Sequence, residues 1–195
     1  MKTETVHNKV LFPGVKDGET FKVGKFEFIK FPSANGMTPV VIKDIAFRSR
    51  FGDNNDLTCS TVLKRMQEEI LPQIIDAVGE ENVLTFKTDL TTLDGLKPYE
   101  ELESRISLPT MDFYRANVEI FDKHNPKCWW WLATPESAQP HYDPTWVLCV
   151  SPSGDFSYDR CVFSDFGVRP FLVFKSSIFE SSEECPVNSR WLTTI

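Results

Sequence analysis

Three histidines, five cysteines and 28 Asp/Glu side chains are the groups with chemistry to offer in this 195-residue chain, and their spacing limits what they can do. His7, His124 and His141 have no acid or cysteine neighbours at metal-ligand spacing. No H-E-x-x-H, no H-x-E with P-C-x-x-C, no G-x-S-x-G and no Gly-rich phosphate loop occurs. Those patterns are the usual sequence marks of zinc proteases, base deaminases, serine hydrolases and nucleotide phosphate sites. His141-Tyr142-Asp143 sets an imidazole beside a carboxylate, yet such a pair in a polar loop reads as surface rather than as an acid–base couple. Cys59, Cys128, Cys149, Cys161 and Cys185 are odd in number, widely spaced and without a C-x-x-C pair. They read as reduced, mostly buried thiols, with neither a disulfide framework nor a zinc site. No enzyme activity, cofactor or metal is expected.

Charge is distributed unevenly. The net charge is −7. Residues 1–50 carry nine Lys/Arg against five Asp/Glu, whereas residues 76–105 carry eight acids against Lys87, Lys97 and Arg105. An acidic middle argues against gripping a phosphate backbone, which requires a cationic face, so no direct nucleic-acid binding is expected. It remains compatible with a basic protein partner, and Glu100, Glu101 and Glu103 are the candidate surface for one. The plainer reading is a solvated face that confers solubility. No apolar run approaches the roughly 20 residues that cross a bilayer, and the N-terminus lacks the apolar core of a signal peptide. The expected protein is soluble, without membrane insertion or secretion by a signal peptide.

The length suits one domain over residues 1–195. Thr20 to Phe31 alternates apolar residues around Gly24-Lys25 and reads as a hairpin; Thr38 to Phe47 reads as a third strand. Asn54-Asn55-Asp56 offers capping side chains ahead of Val62, Met66, Ile70, Ile74 and Val78, which predict an amphipathic helix. Pro72 should either kink that helix or restart it. Residues 79–105 read as an acidic insert with little core, containing a strand candidate at Val83 to Phe86. Thr110 should cap a second helix over Met111 to Phe121, with Phe113 or Tyr114, Val118 and Phe121 on its apolar face. Cys128 to Ala133, Trp146 to Val150, Phe156 to Phe163 and Val168 to Phe174 read as strands, with a turn at Ser151 to Asp155. Residues 179–195 form a C-terminal tail. The order of strands, helix, helix and strands predicts an α+β fold.

Three motifs in this last third carry a resemblance. Trp129-Trp130-Trp131-Leu132-Ala133-Thr134-Pro135, then Val147 to Val150 before Ser153-Gly154-Asp155, then Gly167-Val168-Arg169-Pro170-Phe171-Leu172, resemble a family of unknown function common in phages and low-GC Gram-positive gut bacteria. Its hallmark is W-W-L-R-S-P followed by G-V-R-P-A-L. The likeness covers residues 105–178 and, with the opening hairpin, extends over 17–178. Ala133 stands where the family has Arg, and Phe171 where it has Ala. That family is in turn similar, remotely, to C-type-lectin-like domains of formylglycine-generating enzymes and phage variable receptor-binding proteins: Leu108-Pro109-Thr110 resembles their L-P-T helix start and Gly167-Val168-Arg169 their closing G-F-R strand. The resemblance implies a C-type-lectin-like domain with antiparallel strands and two main helices. Formylglycine-type oxidation would need a reactive cysteine pair, and Cys149 and Cys161 read instead as sheet thiols. A calcium-dependent lectin would need an E-P-N or Q-P-D loop, which Gln139-Pro140-His141 does not supply.

Trp129, Trp131, Gly167 and Arg169 read as structural. On a strand Trp129 and Trp131 share one face and Trp130 takes the other, so at least one is core. Arg169, in an apolar strand, needs backbone carbonyls or an acid as acceptors. The candidate binding surface is the proline-stiffened loop from Glu136 to Trp146, through His141, Tyr142, Asp143 and Trp146, joined by Phe156, Tyr158 and Asp159. The leading expectation is a non-enzymatic phage or prophage domain that binds a protein or glycan, in the host cytoplasm or on the virion. The alternative is an inhibitor of a host defence protein that docks its acids on a basic nucleic-acid-binding site.

Overall fold

The structure, a computed structural model, describes residues 11–138, 144–163 and 165–180. Strands β1 (Thr20–Val23) and β2 (Phe26–Lys30) form the expected hairpin, with Gly24 at φ 55° supplying the left-handed backbone of the turn. They join β3 (Met37–Ile42) and β11 (Phe171–Lys175) in an antiparallel sheet ordered β1-β2-β3-β11. A second sheet, ordered β4-β10-β7-β8-β9, contains β4 (Phe47–Ser49), β7 (Trp130–Pro135), β8 (Trp146–Val150), β9 (Phe156–Arg160) and β10 (Phe166–Val168). The fold is α+β.

Two expected strands are each split between the sheets. The run from Thr38 breaks after Ile42, and the run from Val168 breaks at Arg169-Pro170; the first halves and second halves land in different sheets. The two breaks face each other, since Ile42 N donates to Pro170 O (2.9 Å) and Ala46 N to Val168 O (2.9 Å). Pro170 has no N–H to continue a ladder, so the chain turns there.

The first helical region spans α1 (Thr61–Arg65), a π-helical turn at Met66–Ile70 and α2 (Leu71–Val78). Its cap is Ser60, whose Oγ accepts from Leu63 N at 3.0 Å. Asp56, expected to cap this helix, caps only a short 3-10 turn at Leu57–Cys59. Pro72 lies in the first turn of α2. Its missing N–H frees a carbonyl in the preceding turn, and the wider π turn is the local adjustment. Thr110 caps α3 (Met111–Ala116), accepting from Phe113 N at 3.1 Å. Asn117 then interrupts the helix, its side chain donating to Phe113 O (2.9 Å), and α4 (Val118–Lys123) follows. Tyr114 and Phe121 face the core, while Val118 is exposed, contrary to the expected apolar face. The break at Asn117 resets the helical phase.

Residues 79–105 contribute more core than expected. Val83, Leu90 and Leu102 are buried, and β5 (Phe86–Thr88) pairs with β6 (Leu102–Ser104). The strand starts three residues later than Val83, which bridges instead to Phe174 in β11. One apolar cluster lies between the sheets and α1–α2; a second packs α3 and α4 on Ile29, Phe31, Trp130, Leu148 and Val150. Among the described residues no helix is long and apolar enough to cross a membrane.

Candidate functional site: the aromatic face of strands eight and nine

Alternation along β8 sends Val147 and Cys149 into the first cluster and Leu148 and Val150 into the second. Trp146 shares the face of Leu148 and Val150. Directly opposite, β9 places Arg160 on Trp146, Tyr158 on Leu148 and Phe156 on Val150. Because β9 is the edge strand, its side chains lie at the limit of the cover given by α3 and α4, and Phe156 and Tyr158 are 43% and 53% exposed. Tyr158 packs edge-on against the half-buried Trp146, ring centroids 5.5 Å apart. The Arg160 guanidinium lies 5.7 Å from the Trp146 ring and 5.3 Å from that of Phe163, which is 74% exposed. Phe156 meets the buried Tyr114 edge-on at 5.0 Å.

Trp146, Phe156 and Tyr158 are therefore gathered as the sequence suggested. Asp159 is not: the pleat turns it to the opposite face, across from Val147, where its Oδ1 accepts from Arg160 N (2.6 Å). His141, Tyr142 and Asp143 lie outside the described residues. Arg160 and Phe163 also belong to the patch; the run expected as one strand to Phe163 ends at Arg160, and the turn that follows brings Phe163 beside the guanidinium.

Both stems of the 136–146 loop are held by one buried amide. Asn55 Nδ2 donates to Ser137 O (2.8 Å) and Trp146 O (3.1 Å), and Asn55 N donates to Pro144 O (2.8 Å). Its Oδ1 accepts the Tyr99 hydroxyl. Asp94 accepts Ser137 Oγ at 2.7 Å, and Leu93 N donates to Pro135 O at 3.0 Å. The acidic segment thus holds the first stem at Pro135 and Ser137. Its charges are also partly compensated: Glu101 pairs with Lys87 (2.9 Å), Glu80 with Arg105 (2.7 Å) and Asp89 with Lys97 (3.9 Å). The hydrogen bond that Lys87 Nζ donates to Glu101 raises the pKa of the Lys87 ammonium. The expected surface of unpaired acids is reduced to exposed Glu100 and Glu103 flanking a paired Glu101.

The structural residues meet at the sheet switch. Trp131 packs edge-on at 5.8 Å against Phe51 and donates Nε1 to Ser49 O (3.0 Å); Trp130, on the other face, donates to Asn125 Oδ1 (3.0 Å). Trp129 precedes the strand and is 37% exposed, stacked on Phe166 at 5.7 Å. Trp131 also packs on Phe166 (4.6 Å), so the two rings share that side as alternation predicts, but Trp129 stands one residue before β7 and at its exposed end. Gly167 pairs with Trp130, and a Cβ there would collide with the Ile45 side chain. Arg169 is fully buried and donates to Ile42 O (3.2 Å) and His124 O (3.4 Å). Burial pushes its guanidinium down to about 10, so it stays charged at neutral pH.

A cavity of 570 Å³ lies beside β5 and the start of α3, on an aromatic floor of Phe86, Phe113 and Phe171. Of its charged rim residues, Arg115 faces Asp112 at 3.5 Å, while Lys87 and Asp89 hold the ion pairs given above. Among the described residues no group of three or more His, Cys, Asp and Glu is placed to hold a metal ion. Comparison with protein-family models, with characterised proteins and with solved structures finds no significant match to this chain.

Proposed function

We propose that this chain is a non-enzymatic binding domain of phage or prophage type, with a C-type-lectin-like arrangement, that recognises a protein or glycan partner through the aromatic face of β8 and β9. The observation that carries the reading is the edge-on Trp146–Tyr158 pair flanked by exposed Phe156 and Phe163. Rigid aromatic rings give large contact area at small entropic cost, and they dominate binding energy where they cluster. A contiguous apolar patch on a folded surface marks a contact site more often than isolated exposed residues do. The lectin-like arrangement is supported by how its motifs converge: Pro109 O accepts from Ala133 N (2.9 Å), and Gly167 N donates to Trp129 O (2.8 Å).

The test compares three proteins on a glycan array and on immobilised host-cell surface extract: the parent, Trp146→Ala/Tyr158→Ala, and Glu100→Gln/Glu101→Gln/Glu103→Gln. The aromatic double variant should lose at least about tenfold in affinity while the acidic triple variant retains it, since exposed charges act chiefly on association rate. Binding that survives the aromatic change and fails with the acidic one would transfer the site to the acidic segment and to a basic partner.

A further inference from the structure

The cavity beside β5 and the start of α3 is bounded by three parts of the chain. Strand register sets its floor: Phe171 and Val173 of β11 lie opposite Val41 and Pro39 of β3, and Lys175 lies opposite Met37, so Phe171, Val173, Pro39 and Met37 share one face of the sheet. Leu172 and Phe174 enter the first apolar cluster on the other face. On the cavity's side α3 and α4 cover Ile29, Phe31 and Val41, and this cover stops short of Met37, which is 40% exposed. From the acidic segment Phe86 closes the third side, edge-on to Phe171 at 5.1 Å; Phe113 meets Phe171 edge-on at 4.8 Å. Three half-buried rings thus surround a space of 570 Å³, a size at which clefts enclose a small organic molecule.

The rim offers such a molecule no unmatched charge. Lys87 is paired with Glu101 (2.9 Å), Arg115 with Asp112 (3.5 Å) and Asp89 with Lys97 (3.9 Å). Two hydroxyls along the cavity are only half used. Thr134 Oγ1 accepts from Met111 N (2.9 Å), and Thr110 Oγ1 from Phe113 N (3.1 Å). A hydroxyl that accepts still has one O–H to donate, and among the described residues neither of these finds an acceptor. Thr134 is 5% exposed, and a donor buried to that degree calls for a partner.

We propose that this cavity is a small-molecule site for an uncharged aromatic compound carrying a carbonyl oxygen, its ring held among Phe86, Phe113 and Phe171 and its oxygen accepting from the Thr134 hydroxyl. Offset and edge-on contacts with three rings supply the binding surface, and the hydroxyl fixes the orientation. An ionised analogue is selected against, because nothing in the cavity offsets its desolvation while the rim charges stay paired. The site is separate from the aromatic face of β8 and β9 and does not rest on the partner-binding reading.

The probe is prodan, a neutral naphthalene ketone whose emission moves to the blue in apolar surroundings and back to the red when its carbonyl accepts a hydrogen bond. The purified full chain is titrated into a trace of it, from about 1 µM to about 300 µM protein. The parent should give a saturable blue shift with a Kd below roughly 50 µM, and the carboxylate built on the same ring should bind at least about tenfold more weakly. Ala34→Trp, at an exposed position on the cavity wall, fills the space. Met37→Glu sets a carboxylate on the wall while facing Lys175 across the ladder. Both should keep the parent's melting temperature and lose at least about tenfold in affinity. Thr134→Val should move the bound emission further to the blue and Thr134→Ser should restore it, whereas a role confined to holding α3 would shift melting and leave the spectrum alone. Trp146→Ala/Tyr158→Ala should bind prodan as the parent does. Absence of a saturable shift, equal binding of the carboxylate, or binding lost with Trp146→Ala/Tyr158→Ala and kept in both cavity variants overturns the proposal. The reading of β8 and β9 keeps its own test, because no protein or glycan partner is present.

Discussion

The guanidinium of Arg169 lies over the ring of Trp130, 4.7 Å from its centroid, and 5.7 Å from that of Phe121. With its hydrogen bonds to Ile42 O and His124 O, it joins the end of β3, the end of α4 and the hinge between β10 and β11. A buried charge this enclosed persists only where its acceptors and ring partners are preorganised.

Arg169→Lys keeps the charge but loses the planar stacking and one of two donors, and should lower stability by about 2 kcal/mol. Arg169→Ala adds a cavity and leaves both carbonyls unpaired, for a loss of roughly 3–5 kcal/mol. Urea midpoints of the three proteins check the order. Equal midpoints for Arg169→Lys and the parent would show that the stacking contributes nothing.

The tryptophan run separates core from surface within three residues. Trp131→Ala should cost roughly 3–5 kcal/mol, whereas Trp129→Ala, losing a half-exposed stack on Phe166, should cost less than about 1.5 kcal/mol. Thermal melts of both variants decide it, and similar large losses would mean that Trp129 is core.

Thiol chemistry should divide the same way. Burial pushes the Cys149 thiol up to about 12, so at pH 8 it holds its proton and reacts with alkylating reagents only when the chain opens, whereas Cys59 is exposed. Mass mapping after brief iodoacetamide treatment at pH 7 and pH 9 should show modified Cys59 and unmodified Cys149 at both values. Rapid labelling of Cys149 that climbs with pH would contradict its burial.

The hairpin at Gly24 and the β8–β9 pair with its turn at Ser151–Asp155 were legible because alternation and turn residues are local signals. The sheet switch was not. The runs through Ile42 and Arg169-Pro170 stay apolar on both sides of each break, and their sheet assignment depends on Ile42 and Pro170 meeting across more than a hundred residues. Asn55 reads locally as a capping residue, since an amide beside Asn54 and Asp56 has the right type for that role. Its true partners, Ser137, Trp146 and Tyr99, are all remote in the chain. The aromatic patch was half legible: Phe156 and Tyr158 share a face by alternation, while the same alternation excludes Asp159 from it.

The grip of Asn55 on Ser137, Pro144 and Trp146 separates the spacing of the loop stems from the residues strung between them. The spacing of Ser137 and Pro144 is thus set by one residue from a distant segment and does not depend on what joins them, because the entropic cost of closing a chain between two fixed points grows only slowly with its length.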